Sequence, residues 1–198
     1  VPPFIPTLAM MEIVYGIGLI VTNATPLGGY VEAYTNVANK KFLGINYLIW
    51  IAIIVAAITW FIFNMTRHGK YMYAIGGNPQ AAEVAGVPVK KTLIIIYAKA
   101  AAMYGLAGFM MGAKAGGASV QLGYGYEMEA IAACTIGGVS VTGGRGKVSS
   151  ALIGVAVFEF LKAALQFLGV NAYAQYIALG VIIFIAISLD IRKYIARK

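Results

Sequence analysis

Long apolar runs alternate with short polar segments along the chain. Five of these runs are long enough to cross a membrane as helices: residues 4–21, 47–63, 92–112, 148–168 and 172–189. A transmembrane helix needs about 20 mainly apolar residues, with a usual range of about 17–25. The pattern therefore predicts about five full transmembrane spans.

Another apolar run, residues 128–141, is too short to span a bilayer in the same way. As a helix it would be about 21 Å long, against a hydrocarbon thickness of about 30 Å. Glu127 and Glu129 stand at its start, and Gly137 and Gly138 interrupt it. Broken backbone is tolerated at membrane depth only where protein or a water-filled path surrounds it. We therefore expect an all-α, polytopic transmembrane helical bundle of five full spans and one short glycine-broken segment, forming a single transmembrane domain over residues 1–198.

Composition agrees with a membrane protein. Hydrophobic residues make up 61% of the sequence and charged residues only 11%, whereas a soluble domain carries about 25% charged residues. The formal net charge is +8, but the basic residues flank the apolar runs, so membrane topology explains them better than a nucleic-acid partner does. The single cysteine, Cys134, excludes an internal disulfide framework and a cysteine-based metal cluster.

A short segment between the second and third spans has the sequence of a capped helix. Asn78 is a favoured N-cap residue, and Pro79 suits the first helical position because no backbone donor is needed there. Gly86 supplies a left-handed stop, and Pro88 forbids continuation. The body, residues 79–85, is about two turns, and a free helix needs ~12–15 residues to persist in water. The helix must therefore rest on another surface, either a cytoplasmic partner or the lipid headgroups and spans beside it.

The distribution of basic residues orients the bundle. If the loop of residues 64–91 is cytoplasmic and the spans alternate strictly, only Lys40, Lys41 and Lys114 lie outside. Ten Lys and Arg residues then lie inside: Arg67, Lys70, Lys90, Lys91, Arg145, Lys147, Arg192, Lys193, Arg197 and Lys198. The opposite orientation would invert this ratio, so the positive-inside rule predicts that the capped helix faces the cytoplasm.

The sequence indicates no catalytic, metal or nucleotide site. The glycine-rich run of residues 138–147 fails the P-loop pattern, because Val141 replaces the first glycine and Val148 replaces the Ser or Thr after the lysine. His68, the only histidine, lies in a basic turn, where we expect a solvated interface residue. No Ser-His-Asp or metal-ligand arrangement can be built around it. We therefore predict a protein that is not an enzyme and needs no cofactor or metal.

Ionisable residues within or beside the apolar runs are functional candidates, since a charge at the bilayer centre costs about 2.5–3.5 kcal/mol on insertion scales. Glu159 and Lys162 are three residues apart on one helix face and are expected to neutralise each other. Alternatively, Lys162 snorkels to the nearer interface, as does Lys99. Glu127 and Glu129 either orient a polar substrate at the outer mouth or stabilise the start of the short helix. Glu12 lies near the middle of the first span.

Several short segments spread along nearly the whole chain together carry a family resemblance: Val1-Pro2-Pro3-Phe4-Ile5, Thr7-Leu8, Arg67-His68-Gly69-Lys70, Ala74-Ile75-Gly76-Gly77-Asn78-Pro79, Ala81-Ala82, Gly86-Val87, Tyr126-Glu127-Met128-Glu129-Ala130-Ile131-Ala132-Ala133, Ile136-Gly137-Gly138-Val139-Ser140, Gly143-Gly144, Leu168-Gly169-Val170-Asn171-Ala172-Tyr173 and Gln175-Tyr176. With these segments the chain resembles the permease subunits of bacterial ABC importers for monosaccharides, the ribose, xylose and galactose group. Members of that family have further spans before the first of these segments. The resemblance therefore implies that this chain is the C-terminal part of a longer permease.

The resemblance also implies a loop that docks an ATPase. Importer permeases present a cytoplasmic Glu-Ala-Ala-x-x-x-Gly loop to the ATPase subunit, and residues 80–86 here read Gln80-Ala81-Ala82-Glu83-Val84-Ala85-Gly86. Gln80 stands where the family has glutamate, so a hydrogen bond is available from this position in place of a salt bridge. The implied docking residues are Gly76, Gly77, Asn78, Pro79, Gln80, Ala81, Ala82, Glu83 and Gly86.

A substrate pathway for a monosaccharide, preferentially galactose or a methyl galactoside, follows from the same resemblance. Small and neutral polar groups are expected to line it with one acid at its mouth, at Thr7, Glu129, Thr135, Gly137, Gly138 and Ser140. Two positions depart from the family pattern. Glu129 stands where Asp is common, and Lys162-Ala163-Ala164 replaces a stretch that usually contains Asn and ends in Gly.

The implied partners are a cytoplasmic ATP-binding subunit, a periplasmic sugar-binding protein, a second permease copy, the monosaccharide substrate and the lipid bilayer of the bacterial inner membrane. No nucleic-acid partner is expected. The alternative interpretation is an ion-coupled secondary sugar transporter that uses Glu12 or Glu159 as a proton carrier. A capped cytoplasmic helix favours the importer, because a proton symporter does not need one.

Overall fold

The computed structural model describes residues 4–195, without the side chains of Phe4, Ala172, Leu179, Ala186 and residues 189–195. Over this range the elements in chain order are α1 (Phe4–Thr22), α2 (Glu32–Asn39), β1 (Lys41–Phe42), β2 (Ile45–Asn46), α3 (Tyr47–Met65), α4 (Arg67–Gly77), α5 (Pro79–Val84), α6 (Val89–Ala115), α7 (Tyr126–Ile136), α8 (Val148–Phe167) and α9 (Ala172–Ile195). Parts of the resemblance and of the basic tail lie outside the described residues, namely Val1, Pro2, Pro3, Arg197, Lys198 and the side chains of Arg192 and Lys193.

The predicted helical membrane bundle is confirmed. Within the described residues, four helices are long and apolar enough to cross a membrane: Ile5–Thr22, Tyr47–Met65, Val89–Ala115 and Val148–Phe167. The fifth predicted span lies within the helix α9, in which Tyr173–Ile185 is an apolar stretch.

The short, glycine-terminated segment also forms as predicted. It is the helix α7, of 11 residues, which is about 16 Å long and ends at Ile136 with Gly137 as its C-cap, so residues 137–141 of the predicted run lie outside the helix. Its first turn contains Glu127 and Glu129, where negative charge is favoured by the helix dipole.

Both polar loops contain helices that the hydropathy pattern does not predict. The loop between α1 and α3 holds α2 and a two-stranded antiparallel hairpin in which Lys41 pairs with Asn46. The Asn46 side chain joins these pieces, because its Nδ2 donates to the Ala38 carbonyl at 2.7 Å while its Oδ1 accepts from the Leu48 amide at 2.8 Å. The loop between α3 and α6 holds α4, whose N-cap is the β-branched Thr66.

The chain divides into two compact units. The first comprises the residues up to Ile53 together with Ala100–Tyr124. In it, the Tyr34 hydroxyl of α2 donates to the Phe109 carbonyl of α6 at 2.7 Å, and the two rings lie 4.8 Å apart. These contacts hold α2 against the C-terminal part of α6.

The second unit comprises Ile54–Lys99 and the residues from Gly125 on. Its core is the contact of α7 with α8, where Ala132, Ala133 and Phe158 are buried. Small residues allow a very close approach: a Cβ built on Gly154 of α8 would lie against the Ala133 carbonyl oxygen and 2.6 Å from the Gly137 amide nitrogen. Close backbone approach through Gly and Ala is the usual device of helix packing in membranes.

The start of α4 turns tightly away from α3 and partly buries His68. Thr66 Oγ1 accepts from the Gly69 amide at 3.1 Å, and a Cβ on Gly69 would lie 2.5 Å from the Ile62 carbonyl oxygen. His68 is therefore not the solvated residue that its basic neighbours suggested. Its Nε2 is buried and has no hydrogen-bond partner among the described residues, and burial, with the nearby Lys99 ammonium, lowers the pKa of His68 below 6.5.

Replacing Gly154 by alanine should loosen the contact of α7 with α8. The new methyl group meets backbone rather than a flexible side chain, so we expect a loss of about 1–3 kcal/mol of stability, measured as a lower thermal midpoint in detergent. The matched control is Gly105→Ala on α6, where an added Cβ meets no atom within 4 Å among the described residues. Equal destabilisation by both changes would contradict this packing.

Acidification should weaken α4 through His68. A histidine whose folded-state pKa is lowered contributes no pH dependence above its ordinary value of 6.5. Below that value the unfolded state binds more protons, so stability is lost as the pH falls toward the folded pKa. We expect hydrogen exchange of the α4 amides to accelerate, beyond the intrinsic trend, as the pH falls below about 6.5. His68→Gln should remove that excess, and an unchanged profile in the variant would exclude His68 as its source.

Candidate functional site

The predicted docking residues form a helix-to-helix junction. We call residues 76–86 the docking segment. Asn78 is at once the C-cap of α4 and the N-cap of α5, and its Oδ1 accepts from the amides of Gln80 and Ala81, both at 3.0 Å. Pro79 occupies the first turn of α5. The predicted N-terminal capping is confirmed.

The C-terminal end of α5 forms a Schellman motif around Gly86. The helix ends at Val84, one residue before the predicted end, and Ala85 is its C-cap. Gly86 has φ +82° and donates to the Glu83 carbonyl, while Val87 donates to the Ala82 carbonyl, both at 3.0 Å. A left-handed residue at this position is usually glycine because a Cβ is penalised there.

Only one side of α5 is covered by the chain itself. Ala82 is 4% exposed, whereas Val84 is 91% exposed. The remaining side chains of the segment, Gln80, Ala81 and Glu83, are also exposed. The helix is therefore seated through Ala82 and presents a mixed apolar and polar surface outward.

The C-terminal end of α4 packs against the glycine loop, which we define as residues 137–147 and which connects α7 to α8. A Cβ built on Gly76 would lie 2.5 Å from the Gly144 amide nitrogen, so the two backbones are in direct contact. The Tyr73 hydroxyl of α4 donates to the Gly146 carbonyl at 2.8 Å. The sequence contains a glycine pair in each of the two segments, Gly76-Gly77 and Gly143-Gly144. It does not indicate that the two pairs are in contact.

A charged cluster joins the other ends of α7 and α8. Lys162 donates to Glu129 Oε2 at 2.7 Å and lies 3.7 Å from Glu159 Oε1. The side chains of Lys162 and Glu129 are each 22% exposed, and that of Glu159 is 61% exposed. The rings of Tyr126 and Phe158 each have their centroid 5.8 Å from the ammonium, within the range of a cation–π contact.

The expected neutralisation of Glu159 and Lys162 is confirmed, and it does not describe the cluster fully. The shorter ion pair is with Glu129, 33 residues away in sequence. Sequence reasoning gave Glu129 only a capping or substrate role and Lys162 a snorkelling alternative, because no local spacing connects two residues on different helices.

The predicted pathway residues are distributed over both units. Thr7 lies on α1 in the first unit, whereas the other five belong to the second unit. Thr135 is buried in α7, where its hydroxyl donates to the Ile131 carbonyl at 2.8 Å. Glu129 lies near the start of α7, and the rest lie in the glycine loop at the other end of that helix: Gly137, Gly138 and Ser140.

Residues of the glycine loop have different surroundings. A Cβ on Gly137 would lie against the Ser150 carbonyl oxygen of α8, so Gly137 is a packing position. Gly138 has φ +81° and is exposed. Ser140 shares a hydrogen bond with the Thr142 hydroxyl at 2.9 Å, and its amide donates to the Arg145 carbonyl at 3.1 Å. Across the described part of the chain, no group of three or more His, Cys, Asp or Glu residues is placed to hold a metal ion.

Comparison with curated proteins gives long matches to import permeases. The chain is 41% identical over 206 residues to the galactose/methyl galactoside import permease protein of Escherichia coli strain K12 and 40% identical over 205 residues to that of Haemophilus influenzae. It is 36% identical over 197 residues to the ribose import permease protein of Escherichia coli strain K12. These alignments cover 98–100% of the chain and 61% of each relative, so the chain spans about three fifths of their length.

No solved structure gives a significant match to the chain. A family model described as "Branched-chain amino acid transport system / permease component" matches residues 1–187. That range includes the docking segment, the glycine loop and the charged cluster. The chain belongs to this family of transport-system permease components.

Proposed function

We propose that this chain is a membrane-spanning part of a permease subunit in an ATP-driven ABC importer of a monosaccharide, with galactose or a methyl galactoside as the preferred substrate. The observation that carries the proposal is α5, a six-residue capped helix seated on one side and exposed on the other. The names of the galactose and ribose permeases support the substrate class. The slightly higher identity to the galactose permeases supports galactose within it.

The ATPase-binding surface is the exposed side of the docking segment. A helix of six residues is far below the ~12–15 residues that persist alone in water, and its own chain buries only Ala82 deeply. Asn78, Pro79 and Gly86 define its ends, and Gln80, Ala81, Glu83 and Val84 face outward. The positive-inside count places this surface in the cytoplasm, where the ATP-binding subunit is located.

Movement of the ATPase reaches the transport helices through the glycine loop. Because Gly76 touches Gly144 directly, no side chain can absorb a displacement between them. The Tyr73–Gly146 hydrogen bond adds a second connection to the same loop. A shift of the docking segment therefore acts on the junction of α7 and α8.

The pathway runs along α7, from Glu129 at its outer end toward Gly138 and Ser140 at its inner end. Thr135 and Gly137 contribute by packing α7 and its C-terminal cap, since the hydroxyl of Thr135 is satisfied within the helix and Gly137 meets α8 backbone. A periplasmic sugar-binding protein delivers the substrate at the outer face in the bacterial inner membrane. A second permease copy completes the channel, and the ATPase subunit rather than this chain hydrolyses ATP.

Uptake of labelled galactose should follow ATP and not a proton gradient. The system is membrane vesicles that contain the permease with its ATP-binding subunit and sugar-binding protein. We expect enclosed ATP to drive accumulation, and an imposed proton gradient without ATP to give none. Glu12→Gln should leave ATP-driven uptake intact, because in an importer this residue carries no proton. Uptake that responds to the gradient and ignores ATP would establish the alternative, an ion-coupled transporter that uses Glu12 or Glu159.

A carboxylate on the exposed side of α5 should weaken binding of the ATP-binding subunit. In Val84→Asp the new charge replaces a 91% exposed apolar side chain, so folding is retained while the partner must desolvate the charge. We expect co-purification of the ATP-binding subunit to fall at least about tenfold, by roughly 1.4 kcal/mol or more. The matched control is Leu43→Asp, a 78% exposed position in the outer hairpin. Normal ATPase binding by Val84→Asp would refute docking at α5.

A further inference from the structure

The charged cluster and the docking segment lie at opposite ends of the α7–α8 pair. Glu129 is in the first turn of α7, and Lys162 and Glu159 are in the second half of α8. The glycine loop, which contacts Gly76, joins the other ends of these two helices. If the docking segment is cytoplasmic, the cluster lies toward the outer face, where a substrate arrives.

The charged cluster needs polar groups or water around it. Charged side chains on membrane helices face protein or water, because lipid cannot solvate them. Lys162 and Glu129 are mostly covered, yet Glu159 is 61% exposed, and the Tyr126 residue is 53% exposed. The cluster is thus covered by Phe158 and the helices on one side and open on the other.

The open side offers the chemistry that a polyhydroxyl compound needs. An ammonium has three donors, and within the described residues Lys162 uses one of them in a hydrogen bond, to Glu129. The two carboxylates offer several acceptor positions, and charge-assisted bonds of this kind are stronger than neutral ones. The Tyr126 ring adds an exposed flat apolar face beside the charges. Donor, acceptors and ring together match the hydroxyls and the C–H face of a sugar.

We infer that Tyr126, Glu129, Glu159 and Lys162 form a binding site for a neutral monosaccharide at the outer end of α7 and α8. This inference rests on the proposed function and deepens it by assigning substrate contacts. Two carboxylates and one ammonium give the cluster a formal net charge of −1. That charge disfavours sugar acids and sugar phosphates, so the site selects uncharged sugars.

The competing explanation is that the ion pair only fastens α7 to α8. Neutral variants separate the two roles, since a buried ion pair is often replaced without loss of stability, whereas removing one partner leaves an unpaired charge. The single variant is Lys162→Met, and the neutral variant combines Glu129→Gln, Glu159→Gln and Lys162→Met. Both are measured for thermal stability in detergent and for ATP-driven galactose uptake at saturating sugar-binding protein.

We expect Lys162→Met to lose both stability and uptake. The neutral variant should recover parental stability, while its maximal uptake rate stays at least tenfold lower, because the sugar's charge-assisted bonds are absent. Parental uptake by the neutral variant would overturn the inference and leave a fastening role only. If the unaltered importer itself accumulates no monosaccharide with ATP, the proposed function fails, which is a distinguishable result.

Substrate protection tests the site without removing the charges. In a Cys134→Ser background, Tyr126→Cys is labelled with a thiol reagent in the complete importer, with the sugar-binding protein either empty or loaded with galactose. We expect loaded binding protein and ATP to slow labelling at least threefold. Leu43→Cys, exposed in the outer hairpin, reports shielding by the binding protein itself and should not respond to the sugar. Labelling of Tyr126→Cys at equal rates in both conditions would overturn the inference.

Discussion

Direct contact between two glycine pairs determines how the second unit is arranged. A Cβ on Gly144 would lie 2.7 Å from the backbone of Gly77, and one on Gly143 would lie 2.9 Å from the Gly76 carbonyl oxygen. Gly143 and Gly144 both have positive φ, at +93° and +71°. Each position thus excludes a side chain for two reasons, the space and the backbone conformation. The end of α4 and the loop between α7 and α8 are consequently packed backbone against backbone, with no side chain between them.

Close packing continues from that contact along α7 and α8. Gly154 and Ala133 bring the helix backbones together next to the glycine loop, and the Glu129–Lys162 ion pair connects the same helices at the other end. A helix pair that is fixed at both ends transmits a displacement as a rigid body, because well-packed interiors resist small deformations. The docking segment and the charged cluster are therefore mechanically connected without a continuous chain of polar contacts between them.

What the sequence predicts well here depends on local physical signals. Length and hydropathy locate the spans, and the capping preferences of Asn78, Pro79 and Gly86 locate α5 to within one residue at its end. Those signals act within a turn or two of the chain. Lys162 pairs with Glu129, and Gly76 contacts Gly144. Both contacts join elements that are distant in sequence, so residue spacing within one helix does not predict them. His68 shows the same limit, since its basic neighbours in sequence do not indicate that its Nε2 is buried in the fold.

The length of α7 explains why functional groups collect at its two ends. At about 16 Å this helix covers roughly half of the ~30 Å hydrocarbon thickness, so one or both of its ends lie at membrane depth. Backbone and charges there must be satisfied by protein or by water. At the N-terminal end of α7, Lys162 donates a hydrogen bond to Glu129. At the C-terminal end, the glycine loop packs against the end of α4. A full-length span needs neither arrangement, so the short helix is the element that brings polar chemistry and the docking segment into one rigid structure.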